Sequence, residues 1–220
     1  MNLTDITVVL DRSGSMATIA EDVVGGLNTF IAGQQQVEGE ARFSLVQFDD
    51  GYDVVHFNVP MRDVPLLTPR DFVPRGTTAL LDAIGRTIVG LDGRLASLPA
   101  EQRPSRIIVV VQTDGHENAS REFTRAQVFE LIRQREQAGA ATSGAPVWEF
   151  VYLAANQDAI HAGGDIGFMA ANSVDFDAEG GSVRDMHAVL SRKIARARVE
   201  SVDLQYTPDE RAQTRRKPTG

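Results

Sequence analysis

The stretch VVLDRSGSM at 8–16 turns from apolar residues to a carboxylate and two hydroxyls, with Asp11, Ser13 and Ser15 at alternate positions. Two further segments offer side chains of the same kind. RGTTALLDAI at 75–84 places Thr77 and Thr78 just ahead of an apolar helical pattern, and QTDGHEN at 112–118 carries Asp114. All the donors in this set are oxygens, and hydroxyls outnumber carboxylates. Hard divalent cations select oxygen donors, and Mg²⁺ in particular takes few protein ligands while keeping waters. Each segment alone has a plainer use. Asp-x-Ser-x-Ser and Thr78 could cap helices, and Asp114-Gly115 could form a turn. Only their convergence on one surface would make a cation site.

Convergence depends on the elements that carry them. ITVVL (6–10) is short, β-branched and unbroken, as a strand covered on both faces would be. Ile19, Val23, Leu27, Phe30 and Ile31 then recur at helical steps, although the pair Gly25-Gly26 weakens that helix. ARFSLVQF (41–48) and YDVVHFNV (52–59) flank Asp49-Asp50-Gly51, a hairpin signal. After a proline-punctuated link over 60–76, apolar residues from Leu80 to Leu98 mark an amphipathic helix ended by Pro99. RIIVVVQT (106–113) reads as a second doubly buried strand. Thr124 to Gln127 fit a capping box ahead of a helix with Val128, Leu131 and Ile132. PVWEFVYLAA (146–155) is a strand whose Trp148 and Phe150 belong in the core, and 173–177 suits a short edge strand. Val183, Met186, Leu190 and Ile194 give the last helix its apolar face.

Strands alternating with helices predict an α/β protein: a doubly wound, Rossmann-like, three-layer fold with a mostly parallel central sheet and one antiparallel edge strand. In such sheets ligands bind beyond the carboxyl ends of the strands. Asp11 and Asp114 both end apolar strands, so central neighbouring strands would bring them to one rim. The folded unit is expected over 1–204. The polar stretch 205–220 is expected to be a flexible tail, with the free carboxylates Asp209 and Glu210 able to reach a neighbouring molecule's site.

At these residues a family resemblance emerges. DRSGSM resembles the Asp-x-Ser-x-Ser signature of von Willebrand factor A domains, GTTAL the segment with their threonine ligand, and TDGHEN their Thr-Asp-Gly aspartate. The resemblance covers roughly 1–200, and the order of strands and helices agrees. It implies a metal-ion-dependent adhesion site holding Mg²⁺ or Mn²⁺, with Asp11, Ser13, Ser15, Thr78 and Asp114 as ligands. Thr78 is chosen over Thr77 because the family threonine stands two residues after a glycine, here Gly76. The implied function is a cation-dependent module that captures an Asp or Glu carboxylate of a protein partner, in a protein of the bacterial intracellular type.

Bulk composition bounds the remaining choices. The chain has 220 residues, no cysteine, and a net charge of −8. Disulfides, thiolate metal sites and cysteine nucleophiles are therefore absent. The acidic balance argues against nucleic acid as a partner. Charge is uneven: residues 181–220 hold nine Lys/Arg and five Asp/Glu, leaving −12 on the rest. No apolar run is long enough to span a bilayer and no leader pattern opens the sequence, so a cytoplasmic protein is expected. A metal-assisted hydrolase or phosphotransferase is the rival class, and a structural protein with a silent site is a third. Enzyme activity is not expected. There is no Gly-x-Ser-x-Gly elbow and no phosphate loop ending in Gly-Lys-Ser/Thr, and His116 is the only base near the motif. His116 and Glu117 are expected in a solvated loop. Asn156, Gln157 and Asp158 are expected to cap the following helix.

Overall fold

The computed structural model describes residues 3–141, 145–155, 158–178, 180–200 and 202–215. Six strands form one sheet: β1 (Thr4–Asp11), β2 (Ala41–Phe48), β3 (Tyr52–Pro60), β4 (Arg106–Thr113), β5 (Val147–Ala155) and β6 (Ser173–Phe176). Their order is β3-β2-β1-β4-β5-β6. Only the β2–β3 hairpin is antiparallel. β1 is central, with Leu10 opposite Gln47 on one side and Gln112 on the other. This register brings the ends of β1 and β4 to the same level, as the α/β reading requires.

Helices α1 (Ala20–Gln35) and α5 (Gly180–Glu200) cover one face of the sheet, and α2 (Leu80–Ser97) and α3 (Arg125–Ala141) the other. Alternation along β1 divides the core between them. Ile6, Val8 and Leu10 join the α1–α5 side, and Val9 joins the α2–α3 side. Trp148 and Phe150 stack in the second layer at 5.9 Å between centroids, as expected of core residues. The Thr124–Gln127 capping box is present, with Thr124 N–H donating to Gln127 at 2.8 Å and Gln127 N–H donating back at 3.3 Å. A short helix α4 (Ala159–Gly164) follows β5, and the Asp158 carboxylate caps it as expected by accepting from His161 N–H at 3.0 Å. Asn156 and Gln157 lie outside the described residues. Among the described residues, no helix is long and apolar enough to cross a membrane.

The expected flexible tail is corrected over 205–215. This segment docks, and it ends in a sixth helix, α6 (Pro208–Gln213). Leu204 and Tyr206 are buried and anchor it. Lys193 lies 4.7 Å from the Tyr206 ring centroid and donates to Glu210 at 2.8 Å. Glu210 also closes a capping box with Thr207. The polar side chains that suggested solvation serve the outer edge of β6. Arg211 donates to Ser173 O, and Thr214 donates to Asp175 O at 2.7 Å. Glu210 is thus engaged within its own chain. Residues 216–220 lie outside the described set.

The pair Gly25-Gly26 does not break α1. Gly26 is where α5 approaches: a Cβ there would collide with the buried His187 ring, whereas one at Gly25 would meet nothing within 4 Å. Gly26→Ala is expected to destabilise the protein by about 1–3 kcal/mol through overpacking. Gly25→Ala is expected to be neutral or stabilising by up to about 1 kcal/mol, because alanine favours the helix. Urea denaturation of the two variants checks these opposite signs.

Candidate metal centre

Asp11 ends β1 with its side chain fully buried. Its carboxylate accepts from Ser13 N–H at 2.7 Å and from the Thr113 hydroxyl at 2.5 Å. The first bond bends the chain back at the strand end and fixes the loop carrying Ser13 and Ser15. Ser13 precedes a 3-10 turn (Gly14–Ile19) without capping it through its side chain. Its hydroxyl instead lies 3.1 Å from that of Ser15, which donates to Asp114 at 2.6 Å. The helix-cap alternative for this motif is therefore not what the loop does.

Thr78 is buried beside the N-terminus of α2, and it does not cap that helix either. Its backbone N–H donates to Asn118 Oδ1 at 2.9 Å, and Asn118 N–H donates to Thr78 O at 3.1 Å. Glu117 does the capping, accepting from Leu81 N–H at 2.9 Å. The expectation of a solvated loop is thus corrected for Glu117. Its other oxygen accepts from Ala119 and Ser120 N–H, while His116 is exposed. Asp82 completes the tie by accepting from the N–H groups of Arg121, Glu122 and Phe123. Glu117 was expected in a solvated loop, and Asn118 and Asp82 did not stand out, since each bonds to a backbone amide some 36 to 41 residues away. The box-like spacing of Glu117 and Ser120 was the only available sign.

The three segments meet around Gly115. A Cβ at this position would stand 3.1 Å from Thr78 Oγ1 and 3.7 Å from both Asp11 Oδ2 and Ser15 Oγ. The absence of a side chain leaves a small space enclosed by hydroxyl and carboxylate oxygens. Gly76, in the left-handed region at φ 69°, lets the preceding link turn past Asp50, with which any Cβ would collide. Asp11, Ser13, Ser15, Thr78 and Asp114 are thereby gathered at the carboxyl ends of β1 and β4 and the start of α2.

Two buried carboxylates on this rim have opposite surroundings. Burial pulls the Asp49 pKa upward, but bonds from Arg75, Gly51 N–H and Arg12 outweigh it and hold it below the usual carboxylate range. Asp11 has no such cation. Burial pushes it up to about 6 against the hydrogen bonds from Thr113 and Ser13, and the nearby Asp114 charge adds to the rise. Asp114 is likewise raised by burial. Among the described residues, no ion pair involves either group, and no three His, Cys, Asp or Glu side chains cluster as a metal site. A cation here would rest on two carboxylates supplemented by hydroxyls. That donor set, with its uncompensated charge and the space at Gly115, fits a hard divalent ion.

Neither family models nor curated protein sequences match this chain. Solved structures do. The mussel byssus proximal thread matrix protein 1, in a form with a zinc-occupied adhesion-site motif, superposes with a TM-score of 0.58 at 16% identity, over 86% of this chain and 47% of that one. A von Willebrand factor type A protein from Catenulispora acidiphila gives 0.55 at 13%, over 86% and 42%. The pilus adhesin SpaC of Lactobacillus rhamnosus GG gives 0.66 at 13%, over 89% and 31%. The chain has the von Willebrand factor A fold, and it spans less than half the length of each of these structures.

The raised Asp11 pKa carries a sign. The folded protein retains a proton that the unfolded chain releases between the ordinary value of 3.8 and about 6. The stability due to this proton is complete below the lower value and lost as pH rises through the upper one. In chelator, the urea midpoint of the wild type is expected to fall relative to Asp11→Asn over that interval and then level off. A constant difference across it would contradict an uncompensated carboxylate.

Proposed function

We propose that this chain is a divalent-cation-dependent interaction module that captures an Asp or Glu carboxylate of a protein partner. The observation supporting it is the gathering of Asp11, Ser13, Ser15, Thr78 and Asp114 around the space at Gly115. Ser13, Ser15 and Thr78 would hold Mg²⁺, or Mn²⁺, with Asp11 and Asp114 acting directly or through water. When bound, such a cation supplies an electrophilic position at which an external carboxylate can replace water, because neutral hydroxyls leave most of its charge uncancelled. Asp11 and Asp114 supply the compensating charge, and Thr113 and Ser13 N–H orient the Asp11 oxygens. The zinc in the adhesion-site motif of the mussel protein supports a metal at the equivalent place without fixing its identity here.

The proposal includes binding rather than turnover. A hydrolase would need a nucleophile with a base to activate it. No hydrogen bond joins an imidazole to Ser13, Ser15 or Thr78 among the described residues. The Ser15 hydroxyl donates to Asp114 and the Ser13 hydroxyl pairs with that of Ser15. Phosphatase and esterase assays with added Mg²⁺ are expected to be negative. An intracellular setting belongs to the same proposal, supported by the lack of cysteine.

Mg²⁺ or Mn²⁺ at about 100 times its Kd is expected to stabilise the wild type by about 2.7 kcal/mol. For a domain of this size that corresponds to a rise in Tm of roughly 5–10 °C. Asp11→Ala should lose the effect while remaining folded, and Thr78→Ala should weaken it. Calorimetric titration and thermal denaturation read both. Undiminished binding by Asp11→Ala would show that the cation sits elsewhere.

A further inference from the structure

A cavity of about 210 Å³ opens on the carboxyl-end rim directly beside the metal centre, and Gly115 belongs to both. Leu80 at the start of α2, with Ala162 and Ile166 from the segment after β5, gives it apolar walls. Its position follows from the sheet. β5 pairs with β4, so the residues that follow β5 come to lie beside the loop carrying Asp114 and Gly115. Gly163 lets α4 rest directly on the Tyr152 ring, since a Cβ there would stand 3.0 Å from Tyr152 Cδ1. Phe168 packs on the same ring, 5.1 Å between centroids.

Tyr152 makes the cavity more than an apolar recess. It lines the cavity and is only 1% exposed, and its hydroxyl has no hydrogen-bond partner among the described residues. Unlike the hydroxyl of Tyr206, it is not sealed from solvent. It feels the charges of both Asp11, in the metal centre, and Arg125, which lines the cavity. Burial above all, and then Asp11, raises its pKa beyond the ordinary phenol value, so it stays protonated and can donate. The other charges around the cavity are engaged. Arg125 pairs with Asp165 at 3.1 Å, and the Glu117 oxygens accept from Leu81, Ala119 and Ser120 N–H. His116 and His161 complete the lining as exposed side chains. These features select the occupant. An ion would find no unpaired charge apart from Asp11, which in the function proposed above faces the cation. A small polar side chain would leave Leu80 and Ile166 wet, and phenylalanine would bury the Tyr152 hydroxyl without a partner, which is costly. The volume exceeds the ~150 Å³ of an engineered cavity that holds benzene, so a six-membered ring fits. Tyrosine unites an apolar ring with a polar tip.

We propose, resting on the capture of a carboxylate by the cation, that this cavity is a side-chain subsite of the same contact and takes a partner tyrosine adjacent in sequence to the captured Asp or Glu. The ring lies against Leu80 and Ile166, and its hydroxyl exchanges a hydrogen bond with Tyr152 Oη. The cation fixes the carboxylate and the cavity selects its neighbour, so specificity comes from residues that do not hold the metal.

The test uses the full chain, ¹⁵N-labelled, in Mg²⁺ and in chelator. The probes are the blocked dipeptides acetyl-Asp-Tyr-amide and acetyl-Tyr-Asp-amide, with their phenylalanine and alanine counterparts. All of them should shift the Gly115 amide in Mg²⁺ and not in chelator. In at least one order the tyrosine peptide should also shift Ala162 and Ile166 and bind about 5-fold or more tighter than its phenylalanine counterpart, the margin of one hydrogen bond. Tyr152→Phe, which keeps the ring against Phe168, should bring these two affinities within about 2-fold of each other. It should leave Mg²⁺ affinity and the alanine peptides unchanged. Ala162→Trp should fill the cavity and reduce the tyrosine peptide to the affinity of its alanine counterpart, whose own binding reports an intact rim. Absence of any Mg²⁺-dependent shift at Gly115 would overturn carboxylate capture and the subsite with it. With that shift present, silence of Ala162 and Ile166 would overturn the subsite alone. So would equal affinity for the tyrosine and phenylalanine peptides, or a tyrosine preference that survives Tyr152→Phe or Ala162→Trp.

Discussion

The rim is organised around the burial of Asp11 at the end of the central strand. An ionised carboxylate out of water is costly unless it is paired or fully hydrogen-bonded. Asp49, at the end of the neighbouring pairing, shows the self-contained solution: Arg12 and Arg75 converge on it, and its pKa falls. Asp11 receives one amide and one hydroxyl, and its pKa rises. The same fold therefore contains both solutions at the ends of two neighbouring strands. The Asp49 network consumes its charge internally and ties β2 to the link before α2. Asp11 has no cation beside it among the described residues, and burial favours its protonated form. That asymmetry is the physical basis of the cation site proposed here.

Holding Asp11 in this state requires the surrounding loops to be fixed by other means. Arg12 N–H donates to Phe48 O, Arg75 N–H to Arg12 O, and Ala79 N–H to Asp49 O. These bonds fasten the link before α2 to the ends of β1 and β2. On the other side, Glu117, Asn118 and Asp82 fasten the loop after β4 to the N-terminus of α2. Thr78 lies between the two sets of ties. Its backbone is held by Asn118 on both sides, and its hydroxyl oxygen stands beside Gly115. Carboxylates near a helix N-terminus are also favoured by its exposed N–H groups. Glu117 and Asp82 thus fasten the start of α2 through backbone amides rather than through the site hydroxyls.

Much of this was legible in the sequence, for a physical reason. Strands buried on both faces are unbroken apolar runs, so the ends of ITVVL and IIVVV were visible as the points where Asp11 and Asp114 begin. Helical spacing then gave the alternation that makes the sheet mostly parallel and brings the ends of β1 and β4 to one rim. Less legible was any polar side chain whose partner is backbone. Glu117 looked solvated because nothing in its own segment shows that the amide of Leu81 lies beside it. Lys193 and Arg211 drew no reading of their own, Glu210 was expected to be a free tail carboxylate, and the two apolar anchors Leu204 and Tyr206 stand just before the polar run that suggested a free tail. The bulges of β3 left no compositional trace, since valine, phenylalanine and asparagine are compatible with an ordinary hairpin.

The two ends of the sheet meet the same hazard differently. An open edge strand presents unpaired N–H and C=O groups and invites another strand. At β6, the segment 202–215 covers the outer edge, and Arg211 and Thr214 occupy the carbonyls of Ser173 and Asp175. At β3, the two extra residues and the left-handed Asn58 interrupt the pairing pattern instead. With both edges unsuited to strand addition, lateral growth of the sheet is an unfavourable route to a partner. The carboxyl-end rim differs in kind: its carboxylates have hydroxyl partners but no cation, on loops that the Asp49 and Glu117 networks hold in place. In the function proposed here, a partner bound there would meet preorganised oxygens and avoid the entropic cost of ordering them.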